Sequence, residues 1–251
     1  MTDPDKHPPS PKRENTAAVK RFFANWRLYQ KIMTHNYLYH REVYGLLQKF
    51  LAQNFAQGLS LLDLGCGDGS FMAPVLETSR IKHYYGVDLA PEALAWARHN
   101  LAPLACEQTF MQQDFFTVVQ DPGISVEVIW VGLSVHHLPR AQKKGFLEFC
   151  FKRLTADGCL LAYEPTAAPG EDRESYIERW CRRCQTKWTA LSAREQQEAQ
   201  EHVRESDFPE SLATLEKFGL ETGFRQVRPL FTDPDNLYCC LCFDKQAGRE
   251  Y

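Results

Sequence analysis

The chain has 251 residues, 44% of them hydrophobic, and a net charge of −3. A single domain of that length can bury a full core, and a near-neutral balance argues against a protein whose main work is gripping nucleic acid, which carries a basic surplus. Nine cysteines, an odd count without the spacing of a secreted scaffold, read as reduced thiols in a cytoplasmic protein.

Residues 1–15, MTDPDKHPPSPKREN, are polar and rich in proline, lack the apolar core of a signal peptide, and are expected to form a disordered tail. No apolar run is long enough to span a bilayer. Residues 16–57 carry a helical pattern and are expected to form an N-terminal cap. Phe22, Phe23, Trp26, Tyr29, Met33, Tyr37, His40, Tyr44, Leu47 and Phe50 recur three or four positions apart. The tract THNYLY should break this cap into two helices, because Asn36 is a poor helix-interior residue. Gly58 then closes the segment.

An alternation follows. LSLLDL, HYYGVDL, EQTFMQQD, SVEVIWVGL and CLLAYEP read as strands, the last introduced by a turn at Asp157-Gly158. Helices are expected after Ser70, over PEALAWARHNL with Pro91 at its first position, and over RAQKKGFLEFCFKRL. SVEVIWVGL is apolar throughout, as a strand buried on both faces would be. The rhythm breaks over 166–208. There Ile177, Trp180, Cys184, Trp188 and Leu191 share a helical face, and Ser192 with Glu195 makes a capping box for a second helix. Asp207 with Glu210 suggests a further box, and Gly219 the end of that third helix. GFRQVRPL and NLYCCLCFD close the chain as a hairpin around DPDN. The expected fold is α/β: a Rossmann-like, seven-stranded, mostly parallel sheet ending in an antiparallel hairpin, with N-terminal helices and a helical lid insert, all in one domain over 16–251.

Function is written at the strand ends. Glycines at 65, 67 and 69 stand on alternate positions directly after the first strand, in DLGCGDG. Such spacing marks a backbone that turns tightly beside a ligand. A dinucleotide fingerprint, G-x-G-x-x-G, would place its third glycine one position later, which disfavours a dehydrogenase. Asp88 ends the second strand in GVDLA and Asp114 the third in QQDF. A carboxylate at a strand end can accept from paired ribose hydroxyls, or can cap the helix that follows.

The run DLGCGDG, with Asp88 and Asp114 in register, resembles the class I S-adenosylmethionine-dependent methyltransferases over about residues 59–165. The resemblance implies S-adenosyl-L-methionine as cofactor. It implies that Asp63 orients the loop, Gly65 and Gly67 lie against the cofactor, Asp88 binds the ribose, Asp114 accepts from the adenine amino group and Phe115 packs on the ring. Cys66, Gly69, Leu89 and Leu133 complete the implied cofactor contacts. The fourth strand ends in GLSVHHLP, without the N-P-P-Y or Pro-Cys signatures of base- and glutamine-modifying relatives. That form is similar to the members acting on small molecules.

The expected activity is therefore methyl transfer to an oxygen or nitrogen of a small-molecule acceptor. His136 or His137 is available as general base or as a residue packing beside the cofactor, and Glu164 as an orienting carboxylate or a cap. Tyr29, Tyr37, His40, Arg173 and Trp180 are candidate acceptor contacts. Arg173, Arg179, Arg182, Arg183 and Lys187 make a basic segment in which an arginine could hold a substrate carboxylate, with Trp180 and Trp188 as walls of an acceptor pocket, or which could simply solvate a helix face. Cys181-x-x-Cys184 has zinc-like spacing but reads as packing, and no metal is expected. No nucleic-acid or membrane partner is expected, and the oligomeric state stays open. The competing readings are a protein or RNA methyltransferase and a non-catalytic methyltransferase-like binding module.

Overall fold

A computed structural model describes residues 26–246 and 248. The expected tail over 1–15, and Phe22 and Phe23 of the expected first helix, lie outside the described residues. The cap forms two helices, α1 (Trp26–Thr34) and α2 (His40–Asn54). The break expected at THNYLY lies between them, where Asn36 and Tyr39 take φ of +54° and +52°. There follow β1 (Leu59–Leu64), α3 (Met72–Glu77), β2 (Ile81–Asp88), α4 (Pro91–Leu101), β3 (Glu107–Gln112), the short α5 (Phe115–Val118) and β4 (Val126–Gly132). A 3-10 turn (Val135–His137), α6 (Arg140–Arg153), β5 (Leu154–Ala167), α7 (Arg173–Lys187) and α8 (Ala193–Ser206) come next. The chain ends with β6 (Glu210–Ser211), α9 (Leu212–Thr222), β7 (Gln226–Thr232) and β8 (Tyr238–Asp244).

The main sheet runs β3-β2-β1-β4-β5-β8-β7, parallel through β5, with β8 antiparallel to both neighbours. The expected sheet and closing hairpin are thus present. The two-residue β6, which the sequence pattern did not signal, adds to the far end of β5. The period of two sorts the strands' side chains into two layers. Leu61, Val128, Trp130, Leu161 and Tyr163 face α2 and α7, while Leu62, Leu64, Ile129, Val131, Leu160 and Ala162 face α6 and α9. A strand buried on both faces has no polar alternation to show, which is why β4 reads as an unbroken apolar run.

Two differences bear on the site. First, β5 is continuous from Leu154, so Asp157-Gly158 lies within it. Its extension at Thr166–Ala167 pairs with Glu210–Ser211. Second, Asp207 and Glu210 do not form a capping box. Ser211 caps α9 instead, its hydroxyl accepting from Thr214 N, and Gly223, at φ +113°, ends that helix. The reason is that Glu210 is buried and held by Arg140 and Lys143, at 2.5 and 3.5 Å. Gly219 sits inside α9, where a Cβ would come within 2.7 Å of Phe243 and Val227. The strand pairing at 210–211 draws the chain leaving α8 back over the sheet, and Phe208 N donates to the His136 carbonyl at 2.8 Å.

Four of the insert's basic residues face protein partners. Arg179 pairs with Glu171, Arg183 and Lys187 with Asp235, and Arg183 also donates to the Tyr37 carbonyl. Arg173 donates to the carbonyls of Asp207 and Arg204. These bonds tie α7 to the β7–β8 turn, to the α1–α2 junction and to the end of α8.

Candidate active site

Strand order reverses between β1 and β4, so the crevice beyond their carboxyl ends is where an open parallel sheet binds ligands. The glycine loop occupies it. Gly65, Gly67 and Gly69 have φ of +77°, +57° and +69°, a region that L side chains rarely enter. Each has its own reason to lack a side chain. A Cβ on Gly65 would lie 2.4 Å from Ser134 Oγ, and one on Gly69 3.2 Å from Leu101 Cδ1. A Cβ on Gly67 would meet nothing within 4 Å, so that position is held open by backbone conformation alone, on the cavity side.

Backbone bonds fix the loop. Gly65 N and Cys66 N both donate to the Val87 carbonyl, at 2.8 and 2.9 Å. Asp88 accepts from Gly67 N through Oδ2 and from Ala90 N through Oδ1, each at 2.9 Å. Asp88 thus steadies the start of α4 and the loop, and each oxygen keeps acceptor capacity toward the cavity it lines. Asp63 lies beneath the loop, buried, accepting from Tyr84 OH at 2.7 Å. Burial pushes its carboxyl up to about 7, against the pull of the Tyr84 hydroxyl.

On the other side of the switch, Leu133 stands at φ +53°, its N–H bonded to the Tyr163 carbonyl at 2.7 Å. A non-glycine residue in that region is strained backbone, which clusters at functional sites. The turn after it is organised by Glu164. That carboxylate accepts from Ser134 N and Val135 N through Oε1, at 3.0 and 2.9 Å, and from His136 N and Nδ1 through Oε2, at 3.1 and 2.6 Å. Burial disfavours charge on both partners, but the backbone donors favour an ionised Glu164 and hence a neutral His136 that carries its proton on Nδ1. His137 Nδ1 lies 3.1 Å from the Ser206 carbonyl, which can only accept, so that proton too sits on Nδ1. Burial lowers His137 to about 3, so its ring is neutral near pH 7.

One cavity joins these parts. Of the residues singled out from sequence, Tyr29, His40, Gly65, Cys66, Gly67, Gly69, Asp88, Leu89, Phe115, Leu133, His136, His137 and Trp180 line it. Five do not. Asp63 lies under the loop, and Asp114 caps α5 by accepting from Phe116 N at 2.8 Å. Glu164 lies behind the histidine turn. Tyr37 stacks on Trp188 at 5.0 Å, and Arg173 is held by carbonyls. Trp188, the second candidate wall residue of the insert, lines it as well, and the cavity also takes in residues that periodicity did not mark as functional: Tyr44, His202, Asp207 and Tyr238. Tyr44 looked like core by helical spacing, and Asp207 like a cap. No local signal separates such residues from packing.

Beside the loop stands a ring of aromatic side chains. His40 packs on Phe71 at 4.9 Å, and Tyr44 on Phe71 and Trp130, each at 5.4 Å. His40 Nδ1 is buried without a hydrogen-bond partner, and desolvation lowers the ring to about 4. Cys181 and Cys184 pack in the core with Trp180 and Trp188, and all nine cysteines are unpaired.

The comparisons agree with this geometry. Residues 61–158 match the methyltransferase domain family. Among solved structures, the chain superposes on the plantazolicin methyltransferase in complex with SAH with a TM-score of 0.62 at 12% identity, covering 92% of this chain and 95% of that one. It superposes on magnesium protoporphyrin IX methyltransferase from Synechocystis PCC 6803, with bound SAM, with a TM-score of 0.59 at 16% identity, covering 93% and 98%. An O-methyltransferase family protein from Burkholderia thailandensis gives a TM-score of 0.56 at 13% identity, covering 83% of this chain, which spans 57% of that one's length. No curated protein matches the sequence. At these identities the superpositions speak for the fold, and the domain match carries the chemistry. Residues 61–158 are a methyltransferase domain, and the enzyme built on it uses S-adenosyl-L-methionine. The site fits that cofactor, with an open glycine cradle at Gly67 and a strand-end carboxylate at Asp88. Among the described residues, no helix is long and apolar enough to cross a membrane.

Proposed function

We propose that the enzyme methylates an oxygen or nitrogen of a small, largely apolar acceptor held under the helices α7 and α8. The observation that carries this reading is the continuity of the cavity. It starts at the glycine loop and Asp88 and continues into a wall of Tyr29, Tyr44, Tyr163, Trp180, Trp188 and Tyr238. Such a wall suits a planar or hydrocarbon-rich molecule, with a few polar groups to fix its orientation.

When bound, the cofactor supplies a methyl group already activated on a sulfonium, so the protein's task is chiefly alignment. Gly65, Cys66, Gly67 and Gly69 would pass along its amino-acid end with no side chain intervening at the glycines. Asp88 would accept from both ribose hydroxyls, Phe115 would pack on the base between Leu89 and Leu133, and Asp114 would offer Oδ2 to the adenine amino group. Asp63 acts one layer lower, holding β1 and β2 in register through Tyr84. At the acceptor end, His40, His136, His137 and His202 present imidazoles that burial keeps neutral, and these supply lone pairs rather than charge. Residues 166–208 act as the lid, anchored by Trp180 and Trp188 on the sheet side and by the arginine pairs at its rim.

The test is acceptor-dependent release of S-adenosylhomocysteine across three panels: small aromatic and aliphatic hydroxy or amino compounds, structured RNA, and proteins. Turnover is expected in the first panel, with Trp180→Ala lowering it at least tenfold while S-adenosylhomocysteine binding is retained. Turnover confined to RNA or protein would reject the small-molecule reading. Cofactor binding without turnover in any panel would favour a binding module.

A further inference from the structure

The acceptor end of the cavity contains an arrangement that methyl transfer alone does not require. His136, His137 and Asp207 bring three ligand-type atoms within 4.8 Å of one another, all on buried residues. Asp207 Oδ1 lies 3.6 Å from His136 Nε2 and 3.7 Å from His137 Nδ1. Ligands about 2.0–2.1 Å from a tetrahedral ion stand about 3.4 Å apart, so these edges need to close by only a few tenths of an ångström.

We propose that His136, His137 and Asp207 form a divalent-cation site of the zinc type, with its remaining position open to the cavity for an oxygen or nitrogen donor of the acceptor. This departs from the sequence expectation of no metal. Three independent features support it. Asp207 Oδ1 is buried without a hydrogen-bond partner, an atom that costs free energy unless something positive meets it. His136 is already oriented as a ligand: its Nδ1–H donates to Glu164 at 2.6 Å, which directs the Nε2 lone pair toward Asp207. A carboxylate behind a histidine in this way is the usual support of a metal ligand. The three residues also line the main cavity rather than sitting in sealed core, so the ion has an entry path and an open face. The second cluster of this kind, Cys159, Cys242 and Asp244, is buried between β5 and β8 and lines none of the described cavities.

His137 Nδ1–H donates to the Ser206 carbonyl. Ligation through Nδ1 transfers that proton to Nε2, so the ring stays neutral and no net proton is released from it. Two imidazoles and one carboxylate favour Zn2+ over Mg2+ or Ca2+, which prefer all-oxygen shells. Binding of the ion rests on the geometry of the three side chains. Its use in orienting the acceptor rests on the methyl-transfer reading.

The test uses the full chain stripped with a chelator, titrated with Zn2+ by calorimetry and with Co2+ by visible absorption. The expected result is one equivalent of Zn2+ bound at micromolar or tighter affinity, and an intense, low-coordinate Co2+ spectrum without thiolate charge-transfer bands. Asp207→Asn and His136→Gln should each weaken Zn2+ binding about 100-fold. Glu164→Gln, acting through His136, should weaken it about 10- to 100-fold. The exposed His99→Gln should bind Zn2+ unchanged. S-adenosylhomocysteine binding to the same samples checks that each variant is folded. Absence of stoichiometric Zn2+ binding, or a weak octahedral Co2+ spectrum in the unmodified chain, overturns the site whether or not the variants fold. Binding that survives Asp207→Asn in a folded protein overturns it too, and failure to bind S-adenosylhomocysteine would instead overturn the methyltransferase reading.

Discussion

The two halves of the crevice are built by different means. The half proposed to hold the cofactor, over the ends of β1, β2 and β3, is made mostly of backbone. Three glycines at positive φ and a carboxylate at a strand end define it, and all lie within about one turn of the strand that positions them. The other half, proposed to hold the acceptor, is made of side chains brought from α1, α2, β5, β8, the turn after β4, and α7 and α8. A backbone site demands particular residues at fixed offsets, because only glycine tolerates those dihedrals and close approaches. A side-chain site can be met by many residue types on many elements, so it leaves no spacing to read.

Each half can be broken separately. The largest effect is expected on the acceptor side, from Trp188→Ala. Trp188 is buried between Tyr37, at 5.0 Å, and Trp180, also at 5.0 Å, so its loss leaves a cavity between the insert and the N-terminal helices. A cost of about 3–5 kcal/mol is expected in denaturant unfolding. A cost under about 1 kcal/mol would mean that α7 and α8 do not depend on this stack.

A smaller effect, with a pH signature, is expected beneath the glycine loop. Burial raises the folded Asp63 carboxyl from 3.8 to about 7, so the folded protein holds a proton there that the unfolded chain releases. The stabilisation this proton gives is fully present below about pH 4 and is lost as pH rises through 7. Between those values the cofactor-free wild type should therefore lose stability relative to Asp63→Asn, by up to a few kcal/mol at about 1.4 kcal/mol per pH unit. Parallel pH profiles of the two melting temperatures would show that Asp63 is ionised in the fold.

The smallest effect separates conformation from recognition. Gly67→Ala should cost about 1–2 kcal/mol, because φ is +57° and nothing in the protein lies within 4 Å of the added carbon. Any weakening of S-adenosylhomocysteine binding beyond that strain would come from the ligand side. Unchanged affinity would mean that the loop does not approach the nucleoside at this residue.

The legibility of the chain follows the same division. The order of strands, the hairpin and the two-helix cap followed from hydrophobic period and turn chemistry, and the Ser192–Glu195 box forms as its sequence implied. Asp88 was readable as a strand-end carboxylate facing the crevice, because a strand end fixes where its side chain points. Asp207 and Glu210 were not. Their spacing mimics a capping box, yet burial sends Glu210 to Arg140 and Lys143 and leaves Asp207 beside His136, contacts between residues about 70 apart in sequence. The bonds of Glu164 were not legible either, since its four donors belong to a turn 28–30 residues upstream. Long-range polar partners of this kind depend on tertiary placement, which periodicity does not carry.

The central claim is that a sulfonium nucleoside lies across the ends of β1 and β2 with Asp88 on its sugar. The most direct measurement is a crystal structure of the chain with S-adenosylhomocysteine bound. The expected result is both ribose hydroxyls within about 3 Å of the Asp88 carboxylate oxygens and the nucleoside passing Gly67 without a side chain between. A nucleoside found elsewhere, or Asp88 bonded only to Gly67 and Ala90 while the sugar is held by another group, would contradict it.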